Sequence, residues 1–165
     1  MDRLSIPSQE ERVKGPSLIG RALHLYWRFA RPMTLGTRAA IIHPERGVYL
    51  VRHGYVRGWQ MPGGGVEAGE TLHAAMVREV WEETHIEVTG AAALHGMFLN
   101  RHVSNRDHVA VFVVRAFREG PFREPDAEIR EGRFFPLDAL PEDVTRGTRA
   151  RLEEIATGAS PSPTW

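Results

Sequence analysis

The sequence predicts an α/β fold, a mixed β-sheet with helices on both faces. Three observations lead there. Short apolar strands are interleaved with helix-period segments along the chain rather than gathered in one half. The most apolar segment, Val109–Phe117 (VAVFVVRAF), lacks clean polar alternation, so both of its faces must be covered. The chain has 165 residues, 42% hydrophobic and 25% charged, enough for one domain with a substantial core but not for two.

Residues 1–33 read as an extension ahead of that domain. Residues 1–16 are polar, hold Pro7 and Pro16 and show no period. From Ser17 onward Ile19, Leu23, Tyr26, Trp27 and Ala30 recur at helical spacing, with Arg21, Arg28 and Arg31 between them. Ser17 is placed to cap this amphipathic helix and Pro32 to stop it. A single basic segment of this kind packs on its own domain or on a partner more often than on a membrane. A homodimer is therefore an expectation.

The domain proper is expected over residues 34–157. Thr37–His43 (TRAAIIH) is a strand, Pro44–Gly47 a turn, and Val48–Arg52 (VYLVR) the returning arm of a hairpin. A glycine-rich stretch, Gly58–Glu70, leads into a helix over Thr71–Thr84. Val88–Leu94 and Val109–Phe117 are further strands, Arg118–Glu131 a polar loop, and Gly132–Pro136 (GRFFP) a short strand. Leu137–Leu140 forms a turn, and the last helix lies between Pro141 and Ala156. The tail, residues 158–165 (GASPSPTW), is too rich in Ser and Pro to fold alone and is expected to be disordered.

Composition removes several function classes. Lys plus Arg and Asp plus Glu number 21 each, so no net field draws the chain to nucleic acid or an anionic membrane. Lys14 is the only lysine. Arginine's planar fork suits phosphate oxygens, although GC-rich coding produces the same bias. The absence of cysteine excludes disulfides, thiolate metal sites and a cysteine nucleophile. The N-terminal stretch is polar and unlike a signal peptide, and no apolar run approaches the roughly 18 residues of a membrane span. A cytoplasmic protein without membrane attachment is the expectation.

The chemistry is concentrated in Val77–Ile86, VREVWEETHI. At roughly 100° per residue, Glu82 lies about 60° to one side of Glu79 and Glu83 about 40° to the other. Three carboxylates therefore share one face, with Met76, Val77, Val80 and Thr84 projecting roughly opposite and Trp81 beyond them. Such crowding opposes the helix. Like charges at i,i+4, as in Glu79 and Glu83, destabilise it by about 0.2–0.5 kcal/mol, and the helix dipole disfavours anions in its C-terminal half. Arg78 offsets part of this through Glu82 at i,i+4. A hard divalent ion such as Mg²⁺ offsets the rest, and it leaves room for substrate phosphates. A solvated acidic face explains the three glutamates alone equally well. The preceding glycines shift that balance. Met61-Pro62-Gly63-Gly64-Gly65 puts three of them between a strand and the acidic helix, where backbone must turn with positive φ or approach a ligand closely. A carbonyl of Gly63 or Gly64 can then join a metal shell. The stretch is not a P-loop, since no Lys-Ser/Thr pair follows, nor a dinucleotide fingerprint.

Gly64, five residues, Glu70, seven residues and then Arg78-Glu79-Val80-Trp81-Glu82-Glu83-Thr84-His85-Ile86 resembles the Nudix box of the Nudix hydrolase superfamily. One position departs: His85 stands where the family usually has glycine. Histidine tolerates left-handed φ at modest cost, so a small loss of stability with activity retained is expected. Trp59–Gly64 (WQMPGG) is similar to the strand and turn that precede the box. Phe134–Pro141 (FFPLDALP) is similar to a late stretch of the family, so the resemblance covers residues 34–157. It implies the Nudix α/β/α sandwich with a mixed β-sheet. It also implies Mg²⁺- or Mn²⁺-dependent hydrolysis of a phosphoanhydride bond in a nucleoside diphosphate linked to another group. Glu79, Glu82 and Glu83 match the positions that bind metal, and Gly63 matches a glycine whose carbonyl often joins them. Arg78 matches the arginine that holds those glutamates. Glu70 matches the glutamate that braces the loop and helix or reaches metal through water.

On this reading Glu82, Glu83 and the Gly63 carbonyl hold the main metal, with Glu79 as ligand and candidate base. The later loop offers Asp126, Glu128 and Glu131, of which Glu128 most resembles the loop glutamate of relatives. An arginine should steady charge on the leaving phosphate, and Arg52, Arg57, Arg101 and Arg106 are candidates. Trp59 and Phe98 are candidates to stack on a base, although aromatics in a domain of this size are usually core. His53, His95, His102 and His108 show no zinc-ligand spacing, and Ser104 has no acid–base partners in the pattern of a serine hydrolase. A small nucleotide of the nucleoside diphosphate sugar or ADP-ribose type is favoured over a nucleoside triphosphate, a dinucleoside polyphosphate or an RNA 5′ end. The intact acidic set argues against a non-catalytic sensor on the same fold.

Overall fold

A computed structural model describes Tyr26 and residues 32–165. The helix expected from Ser17 lies outside the described residues except for Tyr26, which is helical and exposed. In chain order the elements are β1 (Thr34–His43), β2 (Gly47–His53), β3 (Trp59–Gln60), α1 (Leu72–Thr84), β4 (Ile86–Val88), β5 (Ala93–Leu99), β6 (Asp107–Val114), β7 (Phe117–Glu119), β8 (Ile129–Phe135) and α2 (Arg146–Thr157).

The sheet is mixed, and helices cover both its faces. Its path runs β3-β2-β1-β6-β5, with β8 on the other edge of β2. β1 and β6 are parallel, in register from Thr34↔Asp107 to Ile41↔Val114, whereas β5 and β6 are antiparallel. β1 and β2 pair only where their hairpin closes, at Ile42↔Val48 and His43↔Gly47, and then part. Alternation along the central strands explains the layers. Ala40, Ile42, Val109 and Val111 point to one side, where they meet Trp59, Met61, Phe98, Phe135 and Leu152 of α2. Ala39, Ile41, Ala110 and Phe112 point to the other, under Met76 and Val80 of α1. Both faces of β1 and β6 are thus buried, as their near-continuous apolar sequences require. Among the described residues no helix is long and apolar enough to cross a membrane.

Three local expectations need correction. The strand expected at Val88–Leu94 is two strands, β4 and β5, because the chain turns at Gly90, where a Cβ would stand 2.8 Å from that of Ala116. The strand expected through Phe117 ends at Val114, and the chain resumes as β7, which pairs with β4 from Ile86↔Glu119 to Val88↔Phe117. The tail, expected to be disordered, lies along the free edge of β5. Leu99 donates its N–H to the Pro163 carbonyl at 3.1 Å and accepts the Trp165 N–H at 3.1 Å. Arg151 donates to the Thr164 carbonyl at 2.7 Å, and the Trp165 ring meets Phe98 edge-on at 6.1 Å. An unpaired strand edge and one large aromatic supply the partners that the tail's own composition lacks.

Candidate active site

The glycine turn leans on β1. Ala39 donates to the Pro62 carbonyl and Thr37 to that of Gly64, each at 2.8 Å, while Val66 donates to Leu35 at 2.9 Å. Glycine is required here for two different reasons. Gly63 has φ +141°, and a Cβ on it would lie 2.1 Å from the Thr37 carbonyl oxygen. At Gly64 a Cβ would stand 2.5 Å from the carboxylate of Glu79, so the missing side chain is the space that this acid fills.

Helix α1 carries the acids to that turn. Thr71 caps it, its Oγ1 accepting the Ala74 N–H at 3.1 Å. At its far end His85 has φ 54° and donates its N–H to the Trp81 carbonyl at 2.9 Å. The ring of His85 stacks on Trp81, and its carbonyl accepts the Gly120 N–H at 2.9 Å. Left-handed backbone at this non-glycine residue is therefore held by side-chain and backbone partners.

The acidic face does not oppose the apolar face cleanly. Met76, Val80, Glu83 and Thr84 are all buried, because Glu83 stands three residues after Val80 and seven after Met76. The carboxylates span an arc that begins in solvent at Glu82 and ends in the interior at Glu83. Glu83 accepts the Gly63 N–H at 2.9 Å, and its Oε1 lies 3.5 Å from Nε2 of His53. Burial pushes the Glu83 carboxyl up to about 7, against the Gly63 hydrogen bond and the charge of Arg38, which pull it down. Burial holds the His53 imidazole down to about 4, aided by the positive charges of Arg38 and Arg123. Neither ring nitrogen of His53 has a hydrogen-bond partner.

Arg78 gathers the remaining acids. It donates Nε to Glu70 at 2.8 Å, Nη2 to the other Glu70 oxygen at 3.0 Å and Nη2 to the Gly65 carbonyl at 3.0 Å. Its Nη1 reaches Glu79 at 2.8 Å and Glu82 at 3.2 Å. This fork-to-carboxylate geometry is one that lysine lacks. Glu70 also accepts the Glu67 N–H at 3.0 Å, and the Arg78 hydrogen bonds hold its carboxyl down to about 2. Both Glu70 oxygens are thus hydrogen-bonded, and the side chain ties the glycine-rich loop to α1.

The other expected site residues divide. Arg52 and Arg57 line a cavity of about 640 Å³ with His53, Tyr55 and Arg130. Arg52 is also paired to Asp143 at 2.8 Å. Arg106 sits exposed in the turn before β6 and does not line this cavity. Trp59 is 1% exposed, packed edge-on against Phe135 at 4.7 Å, so it belongs to the core and does not stack on a ligand; Phe98 is likewise buried. Glu128 is exposed on a loop fastened to the site. Gly54 donates to its carbonyl at 2.8 Å, and its charge contributes to the raised pKa of Glu83. Two residues had no place in the sequence reading. Arg123 ties that loop to α1, donating to the Glu82 carbonyl at 2.7 Å and to Asp126 at 2.9 Å. Arg38, on β1, donates to the carbonyls of Gly63 and, at 3.3 Å, Met61. A charge at the start of an otherwise apolar strand was the available signal for it.

As the side chains lie, no three acidic or imidazole groups among the described residues enclose an ion. The donor set still fits a hard divalent cation. Glu79, Glu82, Glu83 and the Gly63 carbonyl offer only oxygens at one turn, and a buried carboxyl raised to about 7 lacks full compensation for its charge.

Comparison with known proteins agrees with this geometry. A model of the NUDIX domain matches residues 33–155. A MutT-like protein of Streptomyces ambofaciens is 27% identical over 128 residues, 78% of this chain and 80% of that one. An ADP-ribose pyrophosphatase of Methanocaldococcus jannaschii is 35% identical over 81 residues, 49% of this chain and 47% of the enzyme. The chain also spans only 40% of the length of a Mycobacterium tuberculosis relative. Its structure is similar to that of a MutT NUDIX hydrolase from Burkholderia pseudomallei, with a TM-score of 0.64 and 28% identity over 74% of this chain and 97% of that one. A match over most of the chain, on a fold and a carboxylate turn of this construction, leads to one conclusion: the chain belongs to the Nudix hydrolase superfamily.

Proposed function

We propose that this protein hydrolyses a phosphoanhydride bond in a nucleoside diphosphate linked to a further group, such as a sugar or ribose, with Mg²⁺ or Mn²⁺. The observation that carries the reading is the placement of Glu79 and Glu83 on the two glycines of one turn, the first filling the space at Gly64 and the second on the Gly63 N–H. The metal, when held by Glu79, Glu82, Glu83 and the Gly63 carbonyl, supplies positive charge that neutralises the diphosphate oxygens. Arg78 fixes Glu79 and Glu82 relative to Glu70, so their orientation is set before substrate arrives. Arg52 and Arg57 face the cavity beside His53, where they can bind and orient a second anionic group. Glu128 is the candidate to take a proton from the attacking water, since it is exposed to solvent while its charge reaches Glu83. The substrate class is favoured by the Methanocaldococcus jannaschii relative, an ADP-ribose pyrophosphatase.

The test is a panel of ADP-ribose, nucleoside diphosphate sugars, nucleoside triphosphates and dinucleoside polyphosphates incubated with Mg²⁺ or Mn²⁺ and read for phosphate-containing products. Turnover on the first two groups, abolished in Glu82→Gln, is expected. Glu128→Gln should slow turnover by about 10²-fold or more if it is the base. Binding across the panel without any turnover would replace this reading by a nucleotide sensor.

A further inference from the structure

The oxygen that a divalent ion needs at the glycine turn already has a cation on it. Arg38 projects from β1 and donates Nη1 to the carbonyls of Gly63 and Met61. It lies within electrostatic reach of Glu83 and Glu79, and burial destabilises its charge. The same side chain lines a second cavity, of about 370 Å³, with Gln60, Asn100, His102, Arg146 and Trp165. Two arginines and no Asp or Glu side chain line this cavity, with Asp107 behind Asn100 as the nearby acid, so the lining can hold an anion. Arg38 thus stands between two places, an acidic turn that attracts metal and a basic cavity that attracts phosphate.

We propose that Arg38 and the divalent ion compete for the Gly63 carbonyl, and that the displaced guanidinium turns into the cavity to bind an anionic group of the ligand. This rests on the metal-dependent reading above. Two cations on one part-buried carbonyl repel, so the binding of either weakens the hold of the other. Once displaced, Arg38 needs new acceptors, and a phosphate in the cavity supplies them in the planar fork geometry guanidinium prefers. Metal at the turn then favours anion binding in the cavity, and anion favours metal, with one side chain as the coupling.

The experiment measures binding, not turnover. Mn²⁺ is titrated by calorimetry into wild type and into Arg38→Met, without any nucleotide. Removing the competitor should tighten Mn²⁺ binding by about tenfold; unchanged or weaker binding in a folded variant overturns the proposal. Because a buried substitution can unfold the chain, the wild type is also followed by Arg Nε NMR, with the Arg38 signal assigned by its loss in Arg38→Lys. Mg²⁺ should move that signal, and inorganic phosphate should move it at a lower concentration when Mg²⁺ is present. A signal indifferent to Mg²⁺, or a phosphate response independent of Mg²⁺, overturns it. Wild type that neither binds Mn²⁺ nor hydrolyses any diphosphate sinks the metal-dependent reading itself. Wild type that does both, with the Arg38 results negative, sinks only the competition.

Discussion

Nε2 of His53 lies 3.5 Å from Oε1 of Glu83, with both side chains almost wholly buried. Burial works on them in opposite senses, raising the acid from 4.5 to about 7 and lowering the base from 6.5 to about 4. Between pH 4.5 and 6.5 the folded pair holds one proton, on Glu83. The unfolded chain also holds one, on the histidine. Equal proton counts make stability nearly flat across that window.

Glu83→Gln should expose the histidine's half of this balance. His53 stays neutral in the folded variant down to about 4, because burial, Arg38 and Arg123 set its value and Glu83 does not. The unfolded chain binds a proton below 6.5 that the folded one refuses, so stability should be full above 6.5 and fall on acidification toward pH 4. Denaturant unfolding should show a loss of about 2–3 kcal/mol across that range in the variant and little in wild type. A flat profile in the variant would contradict the neutral histidine.

Magnesium should stabilise the protein more at pH 8 than at pH 5.5. Glu83 must shed its proton to become a ligand, and burial keeps that proton on up to about pH 7. At about a hundred times its dissociation constant the ion should contribute about 2.7 kcal/mol, read as a rise in Tm. An equal rise at both pH values would remove Glu83 from the metal set.

Arg78→Lys should fold and yet lose activity. One ammonium cannot reproduce the bonds that Arg78 makes to Glu70, Glu79, Glu82 and the Gly65 carbonyl. A loss of about 10–100-fold in kcat or metal affinity is expected, with little change in Tm. Wild-type kinetics in this variant would show that the clamp is dispensable.

Trp165→Ala should destabilise the domain by about 2–4 kcal/mol through the void left against Phe98 and Gly147. Thermal melts of the two proteins decide it. Equal Tm values would return the tail to the loose state that its composition suggests.

These residues also show what the sequence made legible. The glycine turn and the acids of α1 could be read because their meaning is local: φ +141° at Gly63 demands glycine, and helical spacing alone puts Glu79, Glu82 and Glu83 on one arc. The burial of Glu83 was within reach of the same reasoning, since it follows Val80 by three and Met76 by seven. Arg38 and His53 were not. Each acquires its surroundings from an element remote in sequence, Arg38 from the turn 25 residues on and His53 from α1. Trp59 illustrates the converse, because its aromatic character alone could not show that Phe135 would pack against it in the core. The tail escaped for the same reason, its partner β5 being defined only once the sheet is built.

The parallel pairing of β1 with β6 joins Thr34 to Asp107, 73 residues apart. The glycine turn rests on β1, and β1 has no second neighbour along most of its length until β6 arrives. During synthesis the turn and the acidic helix leave the ribosome well before Val114, so for a time they lack the strand that holds their support in place. Closing so long a loop is slow compared with forming a helix. A chain halted before β6 is therefore expected to lack the pairing that fixes the support of the glycine turn, and with it the placement of the Glu79 and Glu83 carboxylates.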